Sequence, residues 1–465
     1  MIQNIEEYRN SLRDQREVYY RGERVNDVTT HPILGLQANL MEYSFKENYY
    51  YSNQELGMKT SRFYRVPRNS SDLLERSQIT YEITKEVGML FPHIGSDALF
   101  PLMISTSSLE GPCRERLHTY ASRLMKENLF LAVAQIDVKG DRKLRPTQQE
   151  DPDMYVHVVD ERSDGIIVRG AKIHTTYCAV ANEILVLPGR SFRPGEEEYA
   201  ICFAVPPNAK GLKLIVRPEI ASEAALHPWE GVRTRKRSAG ETLTIFEDVF
   251  VPWEHVFLYR HTQAASGLAL LFSLWHRLSA LSYRTALAEY LIGLGKLVAE
   301  ANGVDRGSHI QKDIADLISF TEIQRACARM AAYECHIDKK TGIAVPNNIY
   351  TNVGKLYSNE FYLHIMRSLI DIAGGIAITA PSGDDYGNEA LRPYIDKYLR
   401  GAIPGGERFK LMLILRETVA LMGGAEAVIH IHAEGSMEAS IIELCRSYDF
   451  TESKRLIENL LAEMG

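Results

Sequence analysis

The sequence lacks the features that mark a membrane protein, an exported protein or a nucleic-acid-binding protein. Its longest apolar run, "GLALLFSLWH" from Gly267, is about half of the roughly 20 residues that a membrane span requires. The N-terminus "MIQNIEEYRN" has neither the basic nor the apolar region of a signal peptide. The net charge is −7 and there are no runs of basic residues, which excludes the positively charged surface that nucleic-acid-binding proteins use. We therefore expect a soluble, cytoplasmic protein with no nucleic-acid or membrane partner.

Patterns typical of metal sites and disulfide frameworks are also missing. The six cysteines form no CxxC pair and have no regular spacing. Zinc sites and disulfide scaffolds need such spacing, so we expect reduced thiols and no metal site. The cysteines are Cys113, Cys178, Cys202, Cys327, Cys335 and Cys445.

Hydrophobic periodicity divides the 465 residues into three regions. Helical stretches dominate 1–130, short alternating runs such as "EILVLP" and "YAICFAVP" fill 131–260, and the helical period returns over 261–465. We predict an α+β fold with an N-terminal mostly helical domain, a central β-barrel-like domain and a C-terminal helical bundle with an oligomerisation tail. Such a plan offers a crevice between sheet and bundle in which a planar cofactor fits.

One short stretch has the composition of a site. Residues 169–178 read "RGAKIHTTYC" and place a lysine, a histidine, two threonines, a tyrosine and a cysteine between two predicted strands. An ordinary turn uses Gly, Asn or Pro, whereas this one offers hydrogen-bond donors and acceptors. The pattern indicates a binding site in the β region.

Seven sequence blocks, in matching order over nearly the whole chain, resemble one family of flavoproteins. The blocks are "RVNDVTTHP", "DVKGDRKLRP", "DPDMYVHVV", "DGIIVRGAKIH", "FEDVFVPWE", "DIAGGIAITAPS" and "YIDKYLRG". They are similar to the 4-hydroxyphenylacetate 3-hydroxylase and 4-hydroxybutyryl-CoA dehydratase family. The resemblance implies an acyl-CoA-dehydrogenase-like fold, FAD bound between the β domain and the helices, and a homotetramer.

The resemblance also implies a set of flavin-binding residues. Thr176 holds the position of a threonine that hydrogen-bonds the flavin ring, and His174 matches the dehydratase branch. Tyr177 replaces the family's glycine, and two interpretations are open: it packs away from the flavin, or it narrows the cavity and supplies a proton. The predicted cofactor residues are Gln135, Arg142, Lys143, His174, Thr176, Gly374 and Gly375.

The iron-sulfur ligands of the dehydratase branch are not retained. Its first two cysteine positions fall on Met89 and His93, and its later one falls on Tyr283, although His276 matches the histidine ligand. A cluster needs thiolates for most of its ligands, so we expect none here. Positions of a nearby dehydratase tyrosine and lysine fall on Ala280 and Arg284, and we carry His276 and Arg284 over as candidate catalytic residues.

The substrate-binding residues of the hydroxylase branch are missing as well. Its phenol-binding Arg, Tyr and His fall on Ile94, Ala98 and Val133, while the neighbouring Asp97 remains. A buried phenolate would have no partner among such apolar side chains. Glu241 matches an acid near the dehydratase reaction centre, and it is open whether it acts as a base or is an ordinary solvated acid.

Three functions are therefore open. The first is an FAD-dependent monooxygenase acting on an aromatic or electron-rich small molecule other than 4-hydroxyphenylacetate. No GxGxxG follows a predicted strand, so a separate flavin reductase would supply the reduced FAD. The second is a redox-neutral, cluster-free dehydratase or isomerase, and the third is a flavin-binding scaffold without catalysis. The candidate catalytic residues are Glu241, His276, Tyr177 and Arg284.

Overall fold

The structure is a computed structural model that describes residues 1–90, 92–219, 227–234 and 238–464. Its α-helices are α1 Ile5–Ser11, α2 Leu34–Asn39, α3 Ser70–Val87, α4 Leu99–Thr106, α5 Cys113–Glu127, α6 Thr262–Asn302, α7 Ser308–Tyr333, α8 Asn348–Ala373, α9 Ile376–Thr379, α10 Gly383–Gly387, α11 Arg392–Tyr398, α12 Gly405–Arg416, α13 Gly423–His432, α14 Met437–Ser447 and α15 Thr451–Glu463. Its strands are β1 Glu17–Tyr20, β2 Glu23–Val25, β3 Tyr50–Asn53, β4 Met58–Ser61, β5 Leu131–Ala134, β6 His157–Glu161, β7 Gly165–Thr176, β8 Glu183–Val186, β9 Cys202–Val205, β10 Leu212–Val216, β11 Glu241–Pro252, β12 Val256–Leu258, β13 His336–Ile337 and β14 Ala344–Val345.

Two sheets form the central β region. One has six strands in the order β2-β1-β10-β11-β7-β6, and the other has four in the order β12-β9-β8-β5. β1 runs parallel to β10, so the N-terminal residues also contribute to the central sheet. The division at residues 130 and 260 stays a prediction.

The long strand β7, which pairs with β11, carries most of the stretch that the sequence marked as a site. They pair antiparallel from Gly165 opposite Pro252 to Thr176 opposite Glu241, with two irregularities in register. Within β7, Gly170 has φ of +124°, and a Cβ there would lie 2.5 Å from the Tyr155 carbonyl oxygen. Glycine alone allows this close approach, which brings the chain before β6 onto the strand.

Helix α6 joins the β region to the helical bundle. Its first turns pack Ala265, Leu268 and Phe272 into a core shared with the strands. Its later turns pack against α3, α7 and α8. Such a helix is apolar on several faces because neighbours surround it. Among the described helices none combines the length and the apolar character needed to cross a membrane.

The C-terminal helix α15 is exposed on all sides in the single chain. Its apolar residues nevertheless recur at helical spacing on one face, as an amphipathic helix requires. They are Leu456, Ile457, Leu460, Leu461 and, just beyond the helix, Met464. The homotetramer stays a prediction. It would give the uncovered apolar face of α15 a neighbouring copy to pack against.

Candidate active site

The segment before α4 lies where the β region meets the longest helix. A Cβ on Gly95 would come within 1.7 Å of the Leu131 carbonyl oxygen, so this segment lies directly on β5. The same segment contacts α6. Asp97 is therefore buried between β5 and α6, and the buried Ala98 and half-buried Val133 are also located here.

Asp97 is completely buried and oriented by two side chains. Arg76 Nε donates to its Oδ1 over 3.1 Å, and the Ser279 hydroxyl donates to the same oxygen over 2.9 Å. The other oxygen, Oδ2, makes no hydrogen bond and lies 3.6 Å from His276 Nδ1. The His276 ring stacks on Phe272 with centroids 5.1 Å apart. His276 is thus fixed between an acid and an aromatic ring, with 17% of its side chain exposed.

A second feature, which we call the sheet face, consists of Thr176 and Glu241. Opposite residues of an antiparallel pair point to the same side of the sheet, so these two side chains are neighbours. Glu241 forms an ion pair of 3.2 Å with Arg217. The half-buried Thr176 hydroxyl has no partner among the described residues. Thr175 points the other way and bonds Thr244 over 2.7 Å in the core.

Tyr177 packs in the core beside β5. Its φ is 62°, a left-handed conformation that is unusual for a bulky residue. Its hydroxyl donates to the Leu90 carbonyl oxygen over 2.6 Å, and its ring makes an edge contact with Phe130. Burial raises the pKa of the phenol well above its usual value. This geometry favours the packing interpretation over a proton donor.

A third feature, which we call the Glu434 cluster, lies on the bundle side of α6. The Tyr283 hydroxyl donates to Glu434 Oε1 over 2.6 Å, and Arg284 Nη2 donates to Oε2 over 2.5 Å. Lys355 Nζ lies 3.7 Å from Oε2. Arg277 Nε donates to the Glu434 carbonyl oxygen over 3.2 Å. The cluster therefore consists of Arg277, Tyr283, Arg284, Lys355 and Glu434.

The conformation and charge of Glu434 are both unusual. Its φ is 56°, which costs a residue with a side chain roughly 1–2 kcal/mol. Burial opposes its ionisation, yet the Arg284 and Lys355 charges hold the pKa of Glu434 below its usual value. Burial lowers the pKa of Lys355 to about 7 despite the nearby carboxylate. Backbone strain together with shifted titratable groups is typical of functional sites.

The predicted cofactor residues lie on several different elements. Gln135 follows β5 and is half-buried, with its carbonyl oxygen accepting from Lys172 over 2.9 Å. Arg142, Lys143 and His174 are exposed. Gly374 and Gly375 follow the end of α8, where a Cβ would meet open space. They lie about 28 Å along that helix from Lys355 at 1.5 Å per residue. One copy of the chain therefore leaves the glycine pair away from the cluster.

The dehydratase-type iron-sulfur site does not fit the residues present. Tyr283, at a cysteine position, is bonded to Glu434, and Met89 offers a thioether instead of a thiolate. The side chains of His93 and Ile94 lie outside the described part of the chain. Elsewhere in the described ranges, no group of three or more His, Cys, Asp or Glu side chains is placed to hold a metal ion.

Comparison with known proteins identifies the family. The family profile for the 4-hydroxyphenylacetate 3-hydroxylase N-terminal region matches residues 4–258, and the profile for the C-terminal region matches residues 265–462. The chain belongs to the 4-hydroxyphenylacetate 3-hydroxylase family. The predicted family is confirmed.

Relatives come from both branches of the family. The 4-hydroxybutyryl-CoA dehydratase/vinylacetyl-CoA-Δ-isomerase of Clostridium aminobutyricum is 25% identical over 98% of each chain. The 4-hydroxyphenylacetate 3-monooxygenase oxygenase component of Thermus thermophilus is 28% identical over 83% of this chain and 81% of the relative. All of these are enzymes, which confirms that the chain is one.

Solved structures agree with the predicted fold. An oxygenase component of 4-hydroxyphenylacetate 3-monooxygenase complexed with FAD is 26% identical, with a TM-score of 0.91 over 100% of this chain and 99% of that one. An archaeal 4-hydroxybutyryl-CoA dehydratase from N. maritimus also has 26% identity and a TM-score of 0.91, covering 99% and 95%. Butyryl-CoA dehydrogenase from Megasphaera elsdenii shares the fold with a TM-score of 0.51, covering 89% and 88% at 14% identity. The α+β, acyl-CoA-dehydrogenase-like fold is confirmed.

The sequence analysis did not predict the central residues of the Glu434 cluster. Glu434 lies in "HAEGS" and Lys355 in "VGKLYS", neither of which is a catalytic pattern. The available signal was a lone lysine in a helix stretch that otherwise packs inward, together with a glutamate directly before a glycine. Only the fold brings these residues next to Arg284.

Proposed function

We propose that the chain is the oxygenase component of a two-component, FAD-dependent monooxygenase. It hydroxylates an aromatic or electron-rich small molecule other than 4-hydroxyphenylacetate. The observation that carries the proposal is the Thr176 hydroxyl beside Glu241 on the sheet face, which has no partner among the residues that the structure describes, in a chain that matches an FAD complex over its full length. A hydroxyl without a partner in a half-buried position is suited to a ligand hydrogen bond.

The predicted cofactor residues have side chains suited to hold FAD. Thr176 would bond the ring edge, Gln135 would contact the ring from the end of β5, and Arg142 and Lys143 would approach the pyrophosphate. FAD would supply the activation of oxygen, with electrons from a separate reductase. A homotetramer would allow Gly374 and Gly375 to approach the cofactor of a neighbouring copy.

Ala98, Val133, Asp97 and His276 would line the part of the site that binds the substrate. Ala98 and Val133 are apolar where a phenolate-binding residue would donate, so they exclude water and disfavour 4-hydroxyphenylacetate. His276 Nδ1 lies 3.6 Å from Asp97 Oδ2 without a hydrogen bond, and the partly exposed His276 would give or take a proton there.

Turnover with reduced FAD tests the proposal. Purified protein is mixed anaerobically with reduced FAD, exposed to air with a panel of phenols and other electron-rich aromatics, and assayed for hydroxylated product and for hydrogen peroxide. We expect product with at least one substrate. Release of peroxide alone across the panel contradicts the proposal.

A redox-neutral dehydratase or isomerase is the second candidate. The match to the Clostridium dehydratase spans 98% of both chains, and His276 keeps the dehydratase histidine. The substitution of Tyr283 for a cysteine argues against a cluster-dependent dehydratase and leaves this cluster-free candidate open. Anaerobic turnover of a hydroxyacyl or enoyl thioester without added reductant selects this candidate over the monooxygenase.

A further inference from the structure

A buried ion pair joins the two sheets of the central β region. Lys172 of β7 is 3% exposed, and its Nζ lies 2.7 Å from Oδ1 of Asp137, which is 4% exposed. The same ammonium donates to the carbonyl oxygen of Gln135 over 2.9 Å and to that of Leu187 over 3.0 Å. These two carbonyls directly follow the parallel strands β5 and β8. Lys172 therefore ties the carboxyl ends of both strands to β7, which belongs to the other sheet.

Backbone contacts place the segment 135–137 along the edge of β7. Strand β6 pairs with β7 only as far as Arg169. Further along, the segment forms a bridge with Lys172, and the Ile173 amide donates to the Ile136 carbonyl oxygen over 2.7 Å. The segment 135–137 thus occupies the part of the β7 edge that β6 leaves unpaired.

The chain that follows β8 packs tightly on this segment. A Cβ on Gly189 would lie 2.6 Å from Asp137 Oδ2 and 2.6 Å from the Gln135 carbonyl oxygen. Only glycine allows so close an approach. The segment is therefore held between β7 on one side and residues 187–189 on the other.

Two of the predicted flavin-binding residues depend on this arrangement. Gln135 belongs to the segment, and Thr176 follows Lys172 by four residues at the end of β7. Gln135 is two residues after Val133, so strand alternation places both on the same face, and both are half-buried. The separation between Gln135 and Thr176 is therefore set in part by the contacts of Lys172.

We propose that Lys172 is a positioning residue for FAD: its ammonium holds the segment 135–137 against β7, so that Gln135 and Thr176 lie at the separation that the flavin ring requires. The inference rests on the proposed function, in which both residues contact the ring. Lys172 acts through the segment and not by touching the cofactor, because each of the three N–H groups of its ammonium already has an acceptor.

The test compares the parent with Lys172→Met and with the double variant Lys172→Met/Asp137→Leu, all as full-length protein. Lys172→Met leaves Asp137 buried without its cation, whereas the double variant removes both charges and should unfold at a higher urea concentration than Lys172→Met. FAD titration followed by flavin fluorescence should show affinity lowered about two- to tenfold in both, the equivalent of about one hydrogen bond. The visible circular dichroism of bound FAD should change in both as well.

A second substitution tests whether the effect passes through Gln135. Gln135→Ala should lower the FAD affinity of the parent about two- to tenfold. In the double variant the same substitution should add less than about twofold, because residues that act through one contact are not additive.

An ion pair at the other end of β8 supplies the matched control. Glu183 begins that strand and pairs with Arg123. Arg123→Met/Glu183→Leu removes these charges without touching the segment 135–137, and it should leave FAD affinity within about twofold of the parent.

The proposal is overturned if the double variant regains the FAD affinity of the parent as its stability recovers, since Lys172 would then have a structural role alone. It is also overturned if the control lowers FAD affinity as much, if Gln135→Ala acts equally in the parent and the double variant, or if the parent binds no FAD. Should the double variant fail to fold, Asp137→Asn, which keeps the shape and removes the charge, replaces it in the same comparisons. A parent that binds FAD and hydroxylates nothing contradicts the proposed function and leaves this inference standing.

Discussion

The sheet face and the Glu434 cluster differ in how far the chain satisfies its own polar groups. On the sheet face, Thr176 is half-buried with an unused hydroxyl, and Glu241 has one arginine partner. In the cluster, both oxygens of Glu434 have donors and the side chain is 1% exposed. The sheet face therefore leaves a hydroxyl for the external partner that we propose. The Glu434 cluster, by contrast, satisfies the Glu434 carboxylate internally through Tyr283 and Arg284.

Substitutions in the Glu434 cluster should have the largest effect on the free energy of unfolding. Glu434→Ala leaves Arg284 and Lys355 buried without a counter-ion, and we expect a loss of about 3–5 kcal/mol in the free energy of unfolding. Urea denaturation followed by circular dichroism measures it. Glu452→Ala, on the exposed helix α15, should stay within roughly 0.5 kcal/mol of the parent. Equal effects of the two substitutions would remove the contrast between cluster and surface.

Lys355 should make stability depend on pH. Its folded-state pKa of about 7 lies below its usual value of 10.5, so the unfolded chain binds more protons between these values. The free energy of unfolding contributed by Lys355 should rise with pH in that window, by up to about 1.4 kcal/mol per pH unit. Below pH 7 the contribution should be flat. Subtracting the profile of Lys355→Met from that of the parent isolates it, and a difference without slope contradicts the depressed pKa.

The sheet face should dominate flavin affinity. Thr176→Val removes the unused hydroxyl and keeps its shape, so we expect a loss of roughly 1–3 kcal/mol, or about five- to a hundredfold in FAD affinity. Thr175→Val is the matched control on the other side of the strand, since Thr175 bonds only within the core. It should lower stability and leave FAD affinity within about twofold. The reverse pattern would mean that the flavin lies on the opposite side of β7.

Substitution of Tyr177 should have the smallest effect on stability and none on FAD affinity or turnover. Tyr177→Phe removes the bond to the Leu90 carbonyl oxygen, and we expect a loss of about 1 kcal/mol in stability. FAD affinity and turnover should not change if the side chain only packs. A loss of turnover at unchanged stability would support the proton-donor interpretation instead.

The two regions also differ in how well the sequence predicts them. The stretch 169–178 is continuous, and its donors and acceptors stand out against turn chemistry, so the sheet face was visible in the sequence. The cluster joins α6, α8 and the loop after α13, and no local pattern encodes contacts between Arg284, Lys355 and Glu434. Periodicity predicted the helical and β regions because burial imposes it. It could not predict that residues 17–25 join the central sheet, since that pairing spans nearly 200 residues.

Isotope labelling tests the central claim, monooxygenation, most directly. The FAD-loaded protein is supplied with a flavin reductase, NADH and a substrate that gives product in the panel assay, under oxygen-18 gas. Mass spectrometry should find one atom of oxygen-18 in each product molecule, with no product formed in the absence of oxygen. Product that carries oxygen only from water, or that forms equally well under anaerobic conditions, would contradict the account and favour the redox-neutral enzyme.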